Sequence, residues 1–233
     1  MKERFIHHLQ VERPVATETA VEARARLAEK FPRSALRRMT HLGLMLGSTL
    51  DGVALTPADA LVYATTYAET RALEEFLASF PGASPLLFQT SIHPGGIQQV
   101  LIGRQQPIGR LWPLAGRERI VEQALLAALL EPAERVVLAG GEERGTWLHE
   151  QGMASERAFA FGMMLTRQRE GAVGQISLVV PPAGGSSANR PKTERPTAAE
   201  DPCPALPAFA DALAEHLPLA WGGAGGKWSL AWR

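Results

Sequence analysis

Cysteine is almost absent from this sequence. Among 233 residues, Cys203 is the one cysteine. A single thiol excludes a disulfide framework within the chain and a zinc site built from cysteines. It also favours a reducing compartment, because proteins of oxidising compartments more often carry paired cysteines.

An excess of charge and long apolar runs are missing as well. Lys and Arg number 24 and Asp and Glu number 24, so the formal net charge is zero, which argues against a nucleic-acid partner. The longest apolar stretch, residues 124–130, is far shorter than the roughly 20 residues that a membrane-spanning helix needs. The first residues carry no apolar run of signal-peptide length. We therefore expect a soluble, cytoplasmic protein without a membrane span.

What is present is an alternation of apolar strands and amphipathic helices, which predicts an α/β sheet with helices packed on it. The predicted strands are residues 60–67, 110–114, 135–139, 156–168 and 175–180, with two more around a Gly-rich turn at the end. The predicted helices are residues 17–30 (capped by Thr17), 34–50, 68–80, 95–106, 117–130 and 206–217. Residues 84–91 indicate a loop or short strand, and His7 with His8 indicates a surface pair.

Composition divides the chain into three parts. Residues 1–180 contain the main pattern of strands and helices, residues 181–205 are rich in Pro, Gly and Ser and predict a loop, and residues 206–233 predict a helix and strands completing the same domain. The run Gly222–Lys227 is similar to a phosphate-binding loop, but Trp221 replaces its first glycine and Trp228 follows the lysine. A hairpin turn is the better interpretation.

Two groups of side chains suggest catalysis. Ser91 and His93 have the residue types of a nucleophile and its base, which would suit an acyltransferase or hydrolase acting on thioesters. The chain has no G-x-S-x-G elbow, so a structural histidine is the plainer interpretation. Glu142 and Glu143 are adjacent and, on a strand, point to opposite faces, so we do not expect them to act as an acid/base pair.

Arginines form the third group. Residues Arg37, Arg38, Arg104, Arg110, Arg117 and Arg119 either form a basic face for an acidic partner or belong to an ordinary solvated surface. The residues alone therefore predict an α/β domain without a complete catalytic site, and they indicate no metal and no cofactor.

Three stretches between residues 84 and 143 nevertheless carry a resemblance: SPLLFQTSIHPGGIQQVLIG, RQQPIGRLWPLAG and ERIVEQALLAALLEPAERVVLAGGEE. In order and spacing they resemble the β-ketoacyl synthase superfamily. There the first stretch leads into the dimer-interface helix, the second is the strand that ends at the nucleophile, and the third is the helix and strand that follow it. FPRSALRRMTHLGLML and the tryptophan-containing end are similar to the short ketosynthase-like N-terminal domains, so the resemblance covers about residues 31–180. It implies a thiolase-like fold, the N-terminal half of a ketosynthase, with a mixed sheet.

The resemblance also shows what is missing. Matching Pro107 and Gly140 to the family pattern places the nucleophilic cysteine at about Ala115, and a methyl group cannot accept an acyl chain as a thioester. Cys203 is far from this position in the sequence, and the family's two active-site histidines have no counterpart after residue 180. We therefore expect no catalytic residue.

Ketosynthase-like chains without a nucleophile resemble chain-length factors, which pair with an active ketosynthase and close the end of its acyl tunnel. The resemblance implies a heterodimer in fatty-acid- or polyketide-type biosynthesis, such as that of aryl polyenes. It places the tunnel wall on the interface helix around residues 95–106, with Ile97, Val100 and Leu101 as candidates. The expected second partner is an acyl carrier protein, with Arg37, Arg38, Arg104 and Arg117 as candidate contacts.

Overall fold

The computed structural model describes residues 1–15, 18–181, 202–223 and 225–233. Its strands are β1 (Lys2–Glu12), β2 (Ala60–Thr65), β3 (Arg110–Ala115), β4 (Val136–Glu142), β5 (Phe159–Thr166), β6 (Gly174–Val179), β7 (Leu219–Gly223) and β8 (Gly226–Trp232). Its helices are α1 (Ala20–Ala28), α2 (Arg33–Leu36), α3 (His41–Thr49), α4 (Thr70–Ala78), α5 (Pro85–Thr90), α6 (Gly95–Gly103), α7 (Ile120–Leu130) and α8 (Leu206–Ala214).

The described strands form one mixed sheet in the order β3-β2-β4-β5-β1-β6-β8-β7. Strands β3, β2 and β4 are parallel, and the remaining neighbours are antiparallel. The three parallel strands are joined through helices, as parallel connections require. The predicted mixed sheet with packed helices is confirmed.

Helices cover both faces of the sheet, and alternation along each central strand separates two cores. On β2, Val62 points into a core that includes residues of α7 and α8, whereas Leu61 and Tyr63 point into a core that includes residues of α3 and α6. Burying one large apolar side chain stabilises the fold by about 1.5–3 kcal/mol, so both faces contribute. This two-sided burial explains why the strand is a continuous apolar run rather than an alternating one.

Strand β1 was missed in the sequence because its polar residues find distant partners. It lies in the middle of the sheet, between β5 and β6. Arg4 is 1% exposed and donates hydrogen bonds to the carbonyl oxygens of Ala133 (2.8 Å) and Glu134 (2.9 Å). His8, expected at the surface, lies 2.9 Å through Nε2 from the carbonyl oxygen of Thr49. His7 and His8 are thus both half-buried, and each ring lies close to a backbone carbonyl group.

Three local predictions also need correction. The predicted helix 34–50 is two helices, because the chain breaks after α2 and Thr40 caps α3 by accepting a hydrogen bond from the amide of Gly43. Residues 84–91 contain helix α5, capped by Ser84 with Pro85 in its first turn. Thr19 caps α1 in a capping box with Glu22, while Thr17 lies outside the described residues.

The end of the chain adds to the same sheet. Strands β7 and β8 pair as an antiparallel hairpin, which confirms the hairpin interpretation of the glycine-rich run. Helix α8 buries Leu206, Phe209 and Leu213 in the core shared with α7. Most of the predicted Pro/Gly/Ser-rich loop, residues 182–201, lies outside the described residues.

Candidate functional site

The candidate site lies at the carboxyl ends of β3, β2 and β4. In open α/β sheets ligands bind outside the carboxyl ends of the parallel strands, so this edge is the first place to search. Thr65, the last residue of β2, is paired in register with Ala115, the last residue of β3. Glu142, the last residue of β4, accepts hydrogen bonds from the Thr65 hydroxyl (3.0 Å) and from the amide of Thr66.

The turn after β3 carries no nucleophile. Ala115 is exposed, and the amide of Gly116 donates to the carbonyl oxygen of Thr65 (3.1 Å). Arg119, in the left-handed conformation at φ 56°, leads into α7. Residues 115–119 read Ala-Gly-Arg-Glu-Arg, without a thiol or a hydroxyl. The turn therefore offers no thiol or hydroxyl that could hold an acyl chain as a thioester or an ester.

Cys203 is close to this turn in space, although it is 88 positions from Ala115 in the sequence. It lines a cavity of about 780 Å³ together with Arg117, Glu118 and Arg119. Separation in the sequence therefore does not keep this cysteine away from the turn. Its thiol contacts the carbonyl oxygen of Pro204 at 3.7 Å, and burial raises its pKa. A thiol with a raised pKa is mostly protonated at neutral pH and is a poor nucleophile.

Glu142 is buried and Glu143 is half-buried, in different surroundings, in agreement with the expectation that they point apart. The carboxylate of Glu143 accepts a hydrogen bond from the amide of Leu42 (3.2 Å) and lies 3.7 Å from Nδ1 of His41. Burial raises the pKa of both carboxyl groups to about 7, and burial lowers the pKa of His41. Two carboxyl groups thus titrate near neutral pH without facing one another.

A second buried group joins Glu69, Tyr63 and His93. Glu69 lies 3.1 Å from Nδ1 of His93, accepts a hydrogen bond from the amide of Gly96 (2.9 Å) and accepts a longer one from the hydroxyl of Tyr63 (3.4 Å). The rings of Tyr63 and His93 stack at 5.2 Å. Burial raises the pKa of Tyr63. The group ties the start of α6 to β2 and α4, and no pattern in the sequence indicated it.

Ser91 and His93 do not form a catalytic pair in this structure. The Ser91 hydroxyl donates to the carbonyl oxygen of Phe88 at 2.8 Å. Among the described residues, the polar neighbour of His93 is Glu69, and Nε2 of the ring is buried without a partner. A nucleophile needs a base within hydrogen-bond reach, and this serine uses its proton on the backbone. No contact therefore favours the acyltransferase or hydrolase hypothesis.

The tunnel candidates on α6 lie at different depths. Ile97 and Val100 are both 0% exposed and pack in the core shared with α3. Leu101 is half-buried against that core. Ile102, which the sequence analysis did not select, is 73% exposed. The outer face of the helix is therefore formed by Leu101 and Ile102, while Ile97 and Val100 support it from inside.

The candidate arginines also differ in their exposure and in their contacts. Arg104 is mostly buried and donates to the carbonyl oxygens of Leu50 (2.9 Å) and Gly47 (2.8 Å), with its guanidinium 5.3 Å from the ring of Phe31. The guanidinium of Arg117 lies 5.1 Å from the ring of Tyr67. Arg37 and Arg38 are exposed. Arg104 thus holds α6 to the end of α3, and Arg37 and Arg38 are the more accessible cations.

The described residues contain no cluster of three or more His, Cys, Asp or Glu side chains that could hold a metal ion. Within those residues, no helix combines the length and the apolar character needed to span a bilayer.

Comparison with solved structures identifies the fold. Over 99% of both chains, this chain superposes with a TM-score of 0.64 and 17% identity on a chain of the complex of the ketosynthase ApeO with its chain length factor ApeC, from Xenorhabdus doucetiae. The ishigamide ketosynthase/chain length factor matches at a TM-score of 0.54 and 14% identity, over 77% of this chain and 68% of that one. A β-ketoacyl synthase from Burkholderia phymatum matches at 0.54 and 13%, over 76% and 64%.

These similarities establish the fold of the chain: it is the thiolase-like fold of the ketosynthases. The fold class expected from the resemblance is confirmed. No protein-family model matches the sequence, and no curated protein matches it.

Proposed function

We propose that this chain is a non-catalytic ketosynthase-like subunit, a chain length factor, that pairs with an active ketosynthase. The observation that carries the proposal is the methyl group of Ala115 at the end of β3, where a condensing enzyme of this fold needs a thiol. Support comes from the likeness, over nearly the whole of both chains, to a chain of a ketosynthase/chain length factor complex. Such a subunit shapes the reaction of its partner.

The edge strand β3 is the first part of the proposed partner surface. Within the described sheet it pairs with β2 alone, so its other side has no strand beside it. Trp112 is 45% exposed, and its Nε1 donates to Glu131 at 2.7 Å, which fixes the ring. An uncovered edge strand with an exposed aromatic side chain is a ready surface for another chain. We propose that the ketosynthase covers it.

The second part is a phenylalanine patch, formed by Phe76, Phe80 and Phe88 on α4, α5 and their connection. Phe76 lies 5.3 Å from each of the other two rings, measured between centroids. Phe80 is 57% and Phe88 50% exposed. A cluster of large apolar side chains in water commonly marks an interaction surface. We propose that this patch is buried in the heterodimer.

The proposed mechanism is steric. The ketosynthase would hold the growing chain on its cysteine, and α6 of this subunit would form the end of the tunnel. Leu101 is placed to touch an incoming chain, while Ile97 and Val100 would stiffen the wall because they are buried in the core behind it. Adding a methylene group to the acyl chain when the space is already filled costs about 1–3 kcal/mol, which is enough to stop elongation at a defined length.

The biosynthetic context and the carrier protein are further parts of the proposal. A type II system for aryl polyenes suits the resemblance to the short ketosynthase-like domains, and we expect the pair to act in the cytoplasm. An acyl carrier protein would contact the exposed arginines Arg37, Arg38 and Arg117. Arg104 contributes less to such a contact, because its guanidinium is engaged with backbone carbonyl groups.

Co-expression tests the pairing. Together with a ketosynthase from the same source, the chain should elute as a one-to-one complex in size-exclusion chromatography with light scattering. Phe88→Asp should dissociate that complex, since it places a charge in the proposed interface. Met153→Asp is the matched control, because Met153 is 57% exposed and lies outside both β3 and the phenylalanine patch. A complex that survives Phe88→Asp and Trp112→Ala together would show that these surfaces are not used.

Intact mass spectrometry tests the absence of catalysis. The purified chain, incubated with an acyl thioester, should gain no acyl mass at residues 115–119. Cys203→Ser serves as the control variant, because it removes the one thiol that could be acylated non-specifically. An acyl adduct on the turn after β3 in that variant would refute a non-catalytic role.

A further inference from the structure

A groove on the surface between α2, α5 and α6 has the features of a ligand site. Its volume is about 900 Å³, within the range of small-molecule sites. Three arginines, Arg33, Arg37 and Arg38, line it, and the apolar side chains of Ile92 and Ile102 line it as well. We call this feature the arginine groove.

The charge of the groove is of one sign. No Asp or Glu is among its lining residues; besides the three arginines, the longer polar side chains there are glutamines. Within the described part of the chain, no salt bridge neutralises Arg33, Arg37 or Arg38. Neighbouring guanidinium groups without counter-charges favour a bound anion.

An adjoining cavity of about 470 Å³ shares Arg37 and Arg38 with the groove but has a different character. Arg24 and Arg71 also line it, but Arg71 pairs with Glu75 at 3.3 Å, and both Glu75 and Glu143 are among the lining residues. Their carboxyl groups disfavour an anion there whenever they are ionised. An anionic group is therefore favoured on the side of the arginine groove.

The exposed isoleucines of the groove favour a ligand with an apolar part, which a small inorganic anion lacks. Ile102 is 73% exposed and Ile92 is 48% exposed, and both line the groove together with the arginines. Removing such side chains from water is favourable by about 25 cal/mol for each Å² that is covered. A ligand that contacts both the arginines and the isoleucines has an anionic head and a hydrocarbon tail.

We propose that the arginine groove binds a single-chain aliphatic carboxylate, with its head on Arg37 and Arg38 and its chain along Ile92 and Ile102. Hydrolysis of an acyl thioester, which takes up water and releases the acid and a thiol, would supply this ligand. Binding needs this chain alone, so the inference goes beyond the pairing with a ketosynthase. The bound acid would compete with any acidic partner that uses the same two arginines.

Calorimetric titration of the full-length chain with decanoate, below its micelle concentration, tests the proposal. Saturable one-to-one binding is expected. Acetate, which has the head without the tail, and decyltrimethylammonium, which has the tail with the opposite charge, should each bind at least about tenfold more weakly. Equal binding of the cationic amphiphile, or no saturable binding of decanoate, would overturn the proposal.

Variants locate the site. Arg37→Gln with Arg38→Gln should weaken decanoate binding about tenfold, through the loss of charge-assisted hydrogen bonds. Ile102→Gln should weaken it severalfold for decanoate and leave acetate unchanged. Arg169→Gln, at an exposed arginine outside the groove, is the matched control. Circular dichroism establishes that each variant is folded. Unchanged affinity in the folded double variant, or an acidic peptide that binds there while decanoate does not, would refute the assignment.

Discussion

Strands β3 and β4 are both parallel neighbours of β2, yet they are buried to different degrees. All seven residues of β4 are buried, whereas no residue of β3 is fully buried. The difference comes from position: β4 has β5 on its other side, and β3 is at the edge of the sheet. An edge strand that is exposed in this way has backbone groups and side chains available for pairing with another chain.

The largest effect on the free energy of unfolding is expected from alanine substitutions at two comparable leucines, one on each strand. Leu138, on β4, is 1% exposed, and Leu114, on β3, is half-buried against the same core. Leu138→Ala should lower the free energy of unfolding by about 2–5 kcal/mol, and Leu114→Ala by about half as much or less, because more of Leu114 is already in water. Urea unfolding followed by circular dichroism measures both. Equal losses would mean that β3 is as complete as β4.

A smaller effect on the free energy of unfolding should come from the ionisation of Glu142 at the end of β4. Burial raises its pKa from 4.5 to about 7, so the folded chain binds this proton more tightly than the unfolded chain. The protonated Glu142 carboxyl group therefore contributes up to about 3 kcal/mol to the free energy of unfolding. This contribution is fully present below pH 4.5 and is lost as the pH rises towards 7 and above.

The measurement is the urea midpoint at pH 5 and pH 8. Glu142→Gln should reduce the loss of stability between these values, because the amide does not titrate. Glu143→Gln is the companion variant, since burial raises the pKa of Glu143 to about 7 as well. An unchanged pH dependence in the double variant would show that neither carboxyl group carries it.

The smallest effect on the isolated chain should come from Trp112→Ala on β3. This ring is 45% exposed and has one hydrogen bond, to Glu131, so we expect a loss of about 1 kcal/mol in the free energy of unfolding. In the complex with a ketosynthase the same change should cost about 2 kcal/mol or more in binding, as buried aromatic anchors do. Light scattering and calorimetry supply the comparison. A loss of binding no larger than the loss of stability would remove β3 from the interface.

Local patterns determined much of this protein by themselves. Apolar runs predicted β2 and β4, because a strand that is buried on both faces has to be apolar throughout. Glycines at the end of the chain predicted the hairpin of β7 and β8. The absence of a thiol within residues 115–119 was also readable, since residue identity alone decides it.

Tertiary structure decided what depends on distant partners. Arg4 is buried in β1 because carbonyl groups about 130 positions away accept its hydrogen bonds, and no local pattern carries that information. The contact of Glu69 with His93, the location of Cys203 beside the turn after β3, and the contrast between buried Arg104 and exposed Arg37 arise in the same way. Sequence specifies which side chains need a partner or a cover, and only the folded chain brings those partners within a few ångströms.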